Sequence, residues 1–383
     1  MKIALIGPVY PYKGGISHYT GLMCHALREN CALRENHEVF MFSFKLQYPK
    51  FLFRKEQKDY RDNSFAVADT NYLINTLNPF NWLASALRIK KLKIDTVIFQ
   101  WWHPYFAPCY FFMTKFLRKQ KIVFICHNVF PHERFLLDKF LTKMVLRSGS
   151  RFIVHTHLDE GNLLSVKPNA IYRVNPHPTY NIFKQEGFGT AEARKRLGIR
   201  DDIPLLLFFG FVREYKGLKH LLKALPIIAE KLNDIKLFVV GDFAGDKEKY
   251  LDLINELGIA DCLCLVDDYV SNQEVEKYFA AADLVVLPYE SATGSGIAQI
   301  AYGFLKPVVV TNVGGFTDIV RDGETGYIVK PQNPEELANA ILRYFTEDSH
   351  RHDEFCENIK AINDEFSWER MVMQIEELTL HEV

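Results

Sequence analysis

Short apolar runs alternate with stretches of helical spacing along the whole chain. In the first half, residues 18–29 have helical spacing, and the strand-like runs lie at 2–7, 37–44, 96–100, 122–127, 152–155 and 172–174. After the turn-rich segment 175–181, strand-like runs lie at 204–210, 236–241, 262–266, 284–288 and 308–311. Helical stretches separate these later runs, at 218–232, 247–257, 272–282, 296–304 and 335–346. Such alternation is typical of parallel α/β domains, so the pattern predicts two doubly wound sheets in succession.

Length and charge agree with two domains that have different partners. With 383 residues, the chain is long enough for two hydrophobic cores. Residues 1–185 contain 26 lysines and arginines against 12 acidic residues, whereas the remainder contains 20 against 35. This asymmetry indicates different ligands for the two halves. Two solvated surfaces without a functional difference are the alternative explanation.

The composition narrows the class of protein. No apolar run approaches the roughly 18 residues that a membrane-spanning helix needs. Residues 1–8 have the pattern of a first strand and not of a signal peptide. The seven cysteines are scattered and form no Cys-x-x-Cys pair, which indicates a reduced, cytoplasmic protein.

Two candidate contacts in the first half follow predicted strands. Gly14 and Gly15 lie between a strand and a helix, where glycine lets the backbone approach a ligand and the helix N-terminus favours anions. A plain turn is the alternative. His127 ends a strand, where ligands gather, although a lone histidine is more often structural. The nearby pair His132-Glu133 lacks the second histidine of a zinc motif, because position 136 is leucine.

The second half offers cations and a loop of small residues. Arg213 and Lys216 lie on a strand-to-helix loop, where a guanidinium fork and an ammonium suit a diphosphate. Solvated surface charge is the alternative. The loop 288–296 opens a helix with small residues whose backbone amides suit a phosphate. Glu290 within this loop contacts a ligand or faces solvent.

Together these blocks resemble the retaining GT-B glycosyltransferases of glycosyltransferase family 4, along nearly the whole chain. The similar segments are Gly14–His18, His127, Arg213 with Lys216-Gly217, Lys306–Val309 through Gly314-Gly315, Gly323–Val329 and Phe366–Glu369. The resemblance implies two Rossmann-like domains that face each other across a cleft. It assigns acceptor binding to residues 1–180, donor binding to 181–364, and a helix that crosses back to the first domain to 365–383.

The resemblance also implies roles for single residues. His127 matches the histidine that contacts the transferred sugar, and Arg213 and Lys216 match the basic pair that holds the donor diphosphate; these three are the expected catalytic residues. The expected donor-binding residues are Gly14, Gly15, Glu290, Thr293, Gly294, Ser295, Gly296 and Gln299.

Two departures from the family pattern concern the donor site. The family usually places an arginine directly after the strand glycine, where this chain has Phe211, so the role of Arg213 rests on proximity. The family also carries two glutamates seven residues apart. Here the second falls at Ile300, beside Gln299, and the first falls near Ala292, with Glu290 nearby. We expect Gln299 or Glu290, but not both, to contact the nucleotide ribose, since a carboxamide can both donate to and accept from hydroxyls.

The implied function is retaining transfer of a sugar from a nucleotide-diphosphate sugar to a saccharide or lipid-linked acceptor, in cell-surface polysaccharide or glycolipid synthesis. No Asp-x-Asp motif occurs, so we expect no obligatory metal and no other cofactor. We also expect no nucleic-acid partner. The alternatives are an inactive relative that binds nucleotide sugars and a GT-B phosphorylase or epimerase.

Basic residues alternate with aromatic and apolar ones in the first half. They are concentrated at 44–55, 90–93 and 118–121. Rings at headgroup level and cations near anionic lipid are typical of a membrane–water interface. We therefore expect a peripheral protein of the inner face of the cell membrane. Burial of 51–53 with merely solvated cations is the alternative.

Overall fold

The computed structural model describes residues 1–33, 38–53, 56–61, 63, 65–131, 135–243 and 245–380. The chain forms two compact units. The first consists of Met1–Pro176 and Phe366–Val383, and the second of His177–Glu365. The basic residues Arg54 and Lys55 and the pair His132-Glu133 lie outside the described residues.

The first unit is built on a parallel sheet of seven strands. They are Lys2–Ile6 (β1), Glu38–Leu46 (β2), Asn71–Asn75 (β3), Thr96–Trp101 (β4), Lys121–Cys126 (β5), Arg151–Val154 (β6) and Tyr172–Val174 (β7). Their order is β3-β2-β1-β4-β5-β6-β7, with β1 between β2 and β4. The order reverses at β1, so the carboxyl ends of β1 and β4 flank the crevice where such sheets bind ligands.

Side chains of β1 alternate between two cores on opposite faces of this sheet. Ala4 and Ile6 join one core, and Ile3 and Leu5 join the other. The helices of the first half are Gly15–Leu33 (α1), Pro79–Lys91 (α2), Ala107–Phe116 (α3), Asp138–Leu146 (α4) and His157–Val166 (α5). Helix α1 packs on the second of these cores, whereas α2 and α3 pack on the first. Strands covered on both faces explain the nearly continuous apolar runs in the sequence.

The second unit repeats the architecture with six parallel strands. They are Leu205–Phe209 (β8), Lys236–Val240 (β9), Leu263–Val266 (β10), Leu284–Leu287 (β11), Val308–Thr311 (β12) and Gly326–Val329 (β13), in the order β10-β9-β8-β11-β12-β13. The helices are Thr190–Leu197 (α6), Leu218–Ala229 (α7), Lys247–Leu257 (α8), Asn272–Ala281 (α9), Gly296–Gly303 (α10), Pro334–Thr346 (α11) and His352–Ile362 (α12). The order of this sheet reverses at β8, so the carboxyl ends of β8 and β11 flank a second crevice.

The core of the second unit lies between its sheet and three helices. Helices α7, α8 and α11 contribute buried side chains to one cluster with β8 and β9. Helix α9 contacts β8 and helix α10 contacts β11. The last helix, Trp368–Leu380 (α13), belongs to the first unit, where it packs beside α1.

The predicted class, two doubly wound parallel sheets, is confirmed. Most differences lie at element ends: the helix predicted over 18–29 runs from Gly15 to Leu33, and the strand predicted over 262–266 begins at Leu263 because Ala260–Cys262 forms a 3-10 turn. The sequence pattern missed the strands β3 and β13 and the helices α6 and α12. Within the described part of the chain, no helix is long and apolar enough to cross a membrane.

Candidate active site

The glycine loop of the first unit leads directly into α1. Gly14 has a φ of +105°, and a Cβ added to Gly14 or Gly15 would meet no atom within 4 Å. The backbone amides of Ser17 and His18 donate to the carbonyl oxygen of Gly14. The loop therefore presents open backbone at the start of a helix, as an anionic or sugar ligand requires.

His127 lies directly after β5 and is only 8% exposed. Its backbone amide donates to the carbonyl oxygen of Trp101 at 2.8 Å, which extends the pairing with β4. Its Nε2 atom lies 2.7 Å from Oε1 of Gln100, and the ring of Tyr19 from α1 stands perpendicular to it at 4.5 Å between centroids. The fold thus joins His127 to the helix that the glycine loop begins.

A second histidine lies beside this group. The rings of His155 and His127 are 5.3 Å apart, and Nδ1 of His155 lies 2.8 Å from the carbonyl oxygen of Asn175. Burial lowers the pKa of His155 to about 4, despite this hydrogen bond. His155 is therefore neutral at physiological pH and adds no charge beside His127.

Lys216 lies in the loop that follows β8 in the second unit. Its side chain is buried, and Gly210 leaves it room: a Cβ at that glycine, whose φ is +100°, would lie 3.0 Å from Lys216 Nζ and 3.4 Å from Cδ1 of Ile297. The ammonium also lies 5.7 Å from the centroid of the Tyr289 ring. The fold thus brings Lys216 to the beginning of α10.

Burial is the main reason that the pKa of Lys216 falls from 10.5 to about 8, and the nearby charge of Arg213 lowers it further. Arg213 itself is exposed. An anion bound near Lys216 would offset both the burial of its charge and the repulsion by Arg213, because it would give each cation an opposite charge.

The small-residue loop closes the same region. Ser295 caps α10 by accepting a hydrogen bond from the amide of Ile297 at 3.3 Å. The amide of Gly315 donates to the carbonyl oxygen of Thr293 at 3.0 Å, which ties the loop to the segment after β12. Gly294 lies within this loop, and Gly296 is the first residue of α10, where the helix N-terminus favours an anion.

Glu290 is directed at α7. Its Oε1 atom lies 2.8 Å from Lys219 Nζ and 2.9 Å from His220 Nε2, and Gln332 donates to its Oε2 atom at 3.1 Å. Burial alone would raise the pKa of Glu290, but these hydrogen bonds outweigh it and hold the pKa below its ordinary value. The carboxylate is therefore already engaged by neighbouring side chains.

The side chain of Gln299, unlike that of Glu290, is not engaged by neighbouring side chains of the described part of the chain. It lies on α10 and is fully buried, and its side-chain oxygen and nitrogen have no hydrogen-bond partner among the described residues. A buried carboxamide without partners is costly, by about 1–3 kcal/mol. Such a group is suited to the hydroxyls of a ligand.

Comparison with known proteins decides the family. Residues 189–361 match the model of the family described as glycosyl transferases group 1. Residues 189–361 belong to the group 1 glycosyl transferase family. The match spans the unit that contains Lys216, the small-residue loop and Gln299.

Two curated relatives of this chain illustrate the range of similarity. It is 31% identical over 270 residues to the lipopolysaccharide 1,2-N-acetylglucosaminetransferase of Salmonella typhimurium, covering 67% of this chain and 66% of that protein. It is 34% identical over 210 residues to the D-inositol 3-phosphate glycosyltransferase of Thermobifida fusca, covering 52% and 48%. The chain spans about half the length of most of the curated relatives it matches, as it does for the Thermobifida protein.

Solved structures show the GT-B fold of this chain. Sucrose-phosphate synthase from Thermosynechococcus elongatus matches with a TM-score of 0.75 and 20% identity, over 98% of both chains. Anabaena HepE in complex with UDP and glucose matches with a TM-score of 0.75 and 19% identity, also over 98% of both chains.

The expected site residues fall into two groups. Gly14, Gly15 and His127 lie in the first unit, and the other expected residues lie in the second. Sequence reasoning missed Gln100, which contacts His127, and Tyr289, which lies near Lys216. The available signal for Gln100 was a glutamine within a mostly apolar strand. Among the described residues, no group of three or more histidine, cysteine or acidic side chains is placed to hold a metal ion.

Proposed function

We propose that this protein transfers a sugar from a nucleoside diphosphate sugar to a saccharide or lipid-linked acceptor with retention of anomeric configuration. The observation that carries the proposal is the buried Lys216 ammonium at the start of α10, beside Arg213, in a member of this family. The solved HepE complex with UDP-glucose supports this class of donor.

The cations act on the leaving diphosphate. The bond between the anomeric carbon and the diphosphate oxygen breaks, and the acceptor hydroxyl oxygen bonds to the same face of that carbon. The hydroxyl proton passes to the leaving diphosphate oxygen, so charge and atoms balance. Lys216, Arg213 and the amides at the start of α10 stabilise the negative charge that develops. With these groups in place, we propose that no metal is obligatory.

The two expected ribose contacts differ in their availability. Glu290 is engaged by Lys219, His220 and Gln332, whereas the carboxamide of Gln299 has no hydrogen-bond partner among the described residues. We therefore assign the nucleoside contact to Gln299. His127 contacts the transferred sugar in this proposal.

The acceptor proposal rests on the first unit. The Salmonella relative is named as a lipopolysaccharide transferase, which supports an acceptor of the cell-surface glycan class. On α4 and just before it, Leu136 is 98% and Phe140 is 65% exposed, and Lys139 and Lys143 are exposed beside them. Exposed apolar side chains among cations suit an anionic membrane surface.

The basic segment 44–55 also carries exposed apolar side chains. Phe51 is 73% and Leu52 is 55% exposed, so the alternative of a buried 51–53 segment is wrong for these residues. Sedimentation with anionic and neutral vesicles at low and high salt tests the membrane proposal. The membrane proposal is supported if the protein binds anionic vesicles and if Phe140→Ser weakens this binding while the control Met373→Ser, at another exposed residue, does not. Equal binding to both vesicle types, or binding to neither, refutes it.

A donor screen tests the function. The protein is incubated with UDP-, GDP- and ADP-sugars and with lipopolysaccharide core acceptors, and transfer is followed by mass spectrometry. Transfer with at least one pair supports the proposal. Binding of a donor without transfer indicates an inactive relative, and release of sugar 1-phosphate that depends on orthophosphate indicates a phosphorylase.

A further inference from the structure

Gln100 is a fully buried polar residue in a strand whose other residues, apart from Thr96 at its start, are apolar. All six residues of β4 are buried, and Gln100 is 0% exposed. Burying a carboxamide costs free energy unless its atoms are hydrogen-bonded. We therefore expect the buried carboxamide of Gln100 to form hydrogen bonds with specific neighbours.

The neighbouring strand leaves room for this side chain. A Cβ at Gly7, directly after β1, would lie 2.6 Å from Cγ of Gln100, closer than two such carbons can approach. Any larger residue at position 7 would displace Gln100 and would also crowd Thr20, whose Cγ2 and Oγ1 lie 3.0 Å from the added Cβ. The missing side chain at Gly7 and the glutamine at 100 thus fit each other.

The carboxamide is oriented towards His127. Its Oε1 atom lies 2.7 Å from Nε2 of His127, and its own Nε2 lies 3.3 Å from Sδ of Met23. The opposite orientation would place the amide oxygen against the sulfur, which has no proton to offer. Because an amide oxygen only accepts hydrogen bonds, Nε2 of His127 carries the proton.

We propose that Gln100 is a positioning residue for His127, which fixes the ring with its proton on Nε2 and leaves Nδ1 in the accepting state. The catalytic consequence rests on the proposed function, whereas the tautomer does not. The ionisable groups near His127 include Tyr19 on α1, the neutral His155 after β6 and the buried Asp159 on α5. A neutral amide orients the ring without adding a charge to this group.

Nitrogen NMR of the histidine rings tests the tautomer. In the unchanged protein, we expect His127 to be protonated on Nε2, whereas Gln100→Leu yields a mixture of tautomers. Gln100→Glu places a carboxylate at the same distance and raises the pKa of His127 relative to the unchanged protein. His155, held by the carbonyl of Asn175, is the internal reference whose signals stay unchanged. Protonation of His127 on Nδ1, or identical spectra in Gln100→Leu, overturns the proposal.

Kinetics separates positioning from structure. We expect Gln100→Leu to lower kcat about 10–100-fold, as loss of an orienting partner does for histidines at metal sites, with the donor KM little changed. Gly7→Ala, which displaces Gln100, gives the same NMR and kinetic change, whereas Gly161→Ala, where a Cβ meets nothing within 4 Å, gives none. An unaltered spectrum in Gly7→Ala contradicts the proposal. If the unchanged protein shows no transfer, the proposed function fails while the NMR result still decides the role of Gln100.

Discussion

Replacing Lys216 by methionine is expected to stabilise the free protein while it weakens donor binding. The side chain is buried, and its pKa is lowered from 10.5 to about 8, mainly by burial. At about 1.4 kcal/mol for each pKa unit, this difference corresponds to ~3 kcal/mol of cost for holding the charge in the folded protein. Methionine fills a similar volume without a charge.

The sign of the pH dependence follows from the lowered pKa. Below about pH 8, the lysine is charged in both the folded and the unfolded protein, and the folded state bears the full cost. Between about pH 8 and 10.5, the folded protein releases the proton while the unfolded chain keeps it, so the cost disappears. The advantage of Lys216→Met is therefore largest at about pH 7 and is lost towards pH 10.5.

Urea denaturation at about pH 7 and about pH 9.5 measures this difference. Lys219→Met is the matched control, because Lys219 is paired with Glu290 at 2.8 Å and its replacement is expected to lower stability slightly. A gain of about 1–3 kcal/mol for Lys216→Met at neutral pH that shrinks at the higher pH agrees with the reasoning. A loss of stability at neutral pH, or an effect independent of pH, would refute it.

Three further substitutions separate binding, chemistry and structure. His127→Ala is expected to reduce transfer more than nucleotide affinity, and equal losses in kinetic and calorimetric measurements would indicate a structural histidine. Gln299→Ala is expected to weaken nucleotide binding by about tenfold in calorimetry, in keeping with one lost hydrogen bond to a ligand hydroxyl; unchanged affinity would contradict the ribose assignment. Glu276→Ala removes a carboxylate that accepts hydrogen bonds from four backbone amides, those of Gln185 to Phe188. The free energy of unfolding should therefore fall by about 3 kcal/mol or more. A decrease below about 1 kcal/mol in urea denaturation would speak against this role.

The sequence predicts the central strands, which are covered on both faces, and also the partly buried edge strands β7 and β10. Strands β8 and β11 have only buried residues, and both appear as unbroken apolar runs. Strand β3 lies at the sheet edge with one buried residue, Ile74, so its pattern is weak. Strand β13 also lies at a sheet edge and begins with a glycine, so only three apolar residues mark it in the sequence.

The site could be predicted only as far as its local motifs reach. Two cations on one loop indicate an anion site, but the burial of Lys216 depends on Gly210 and Ile297, and Ile297 is distant in sequence. The engagement of Glu290 by α7 likewise depends on tertiary structure. The contact between Gln100 and His127 joins adjacent strands and spans 27 residues of sequence, so no local pattern reveals it.

Calorimetric titration with nucleoside diphosphates tests the central claim, that the second unit holds the diphosphate of a sugar donor through Lys216. UDP, GDP and ADP are compared with their nucleosides, using the unchanged protein, Lys216→Ala and Lys219→Ala. We expect at least one diphosphate to bind more tightly than its nucleoside, and Lys216→Ala to weaken it about 10–150-fold, the value of one charge-assisted hydrogen bond, while Lys219→Ala leaves it unchanged. Absence of binding by all three diphosphates, or equal affinity in Lys216→Ala, would contradict the account.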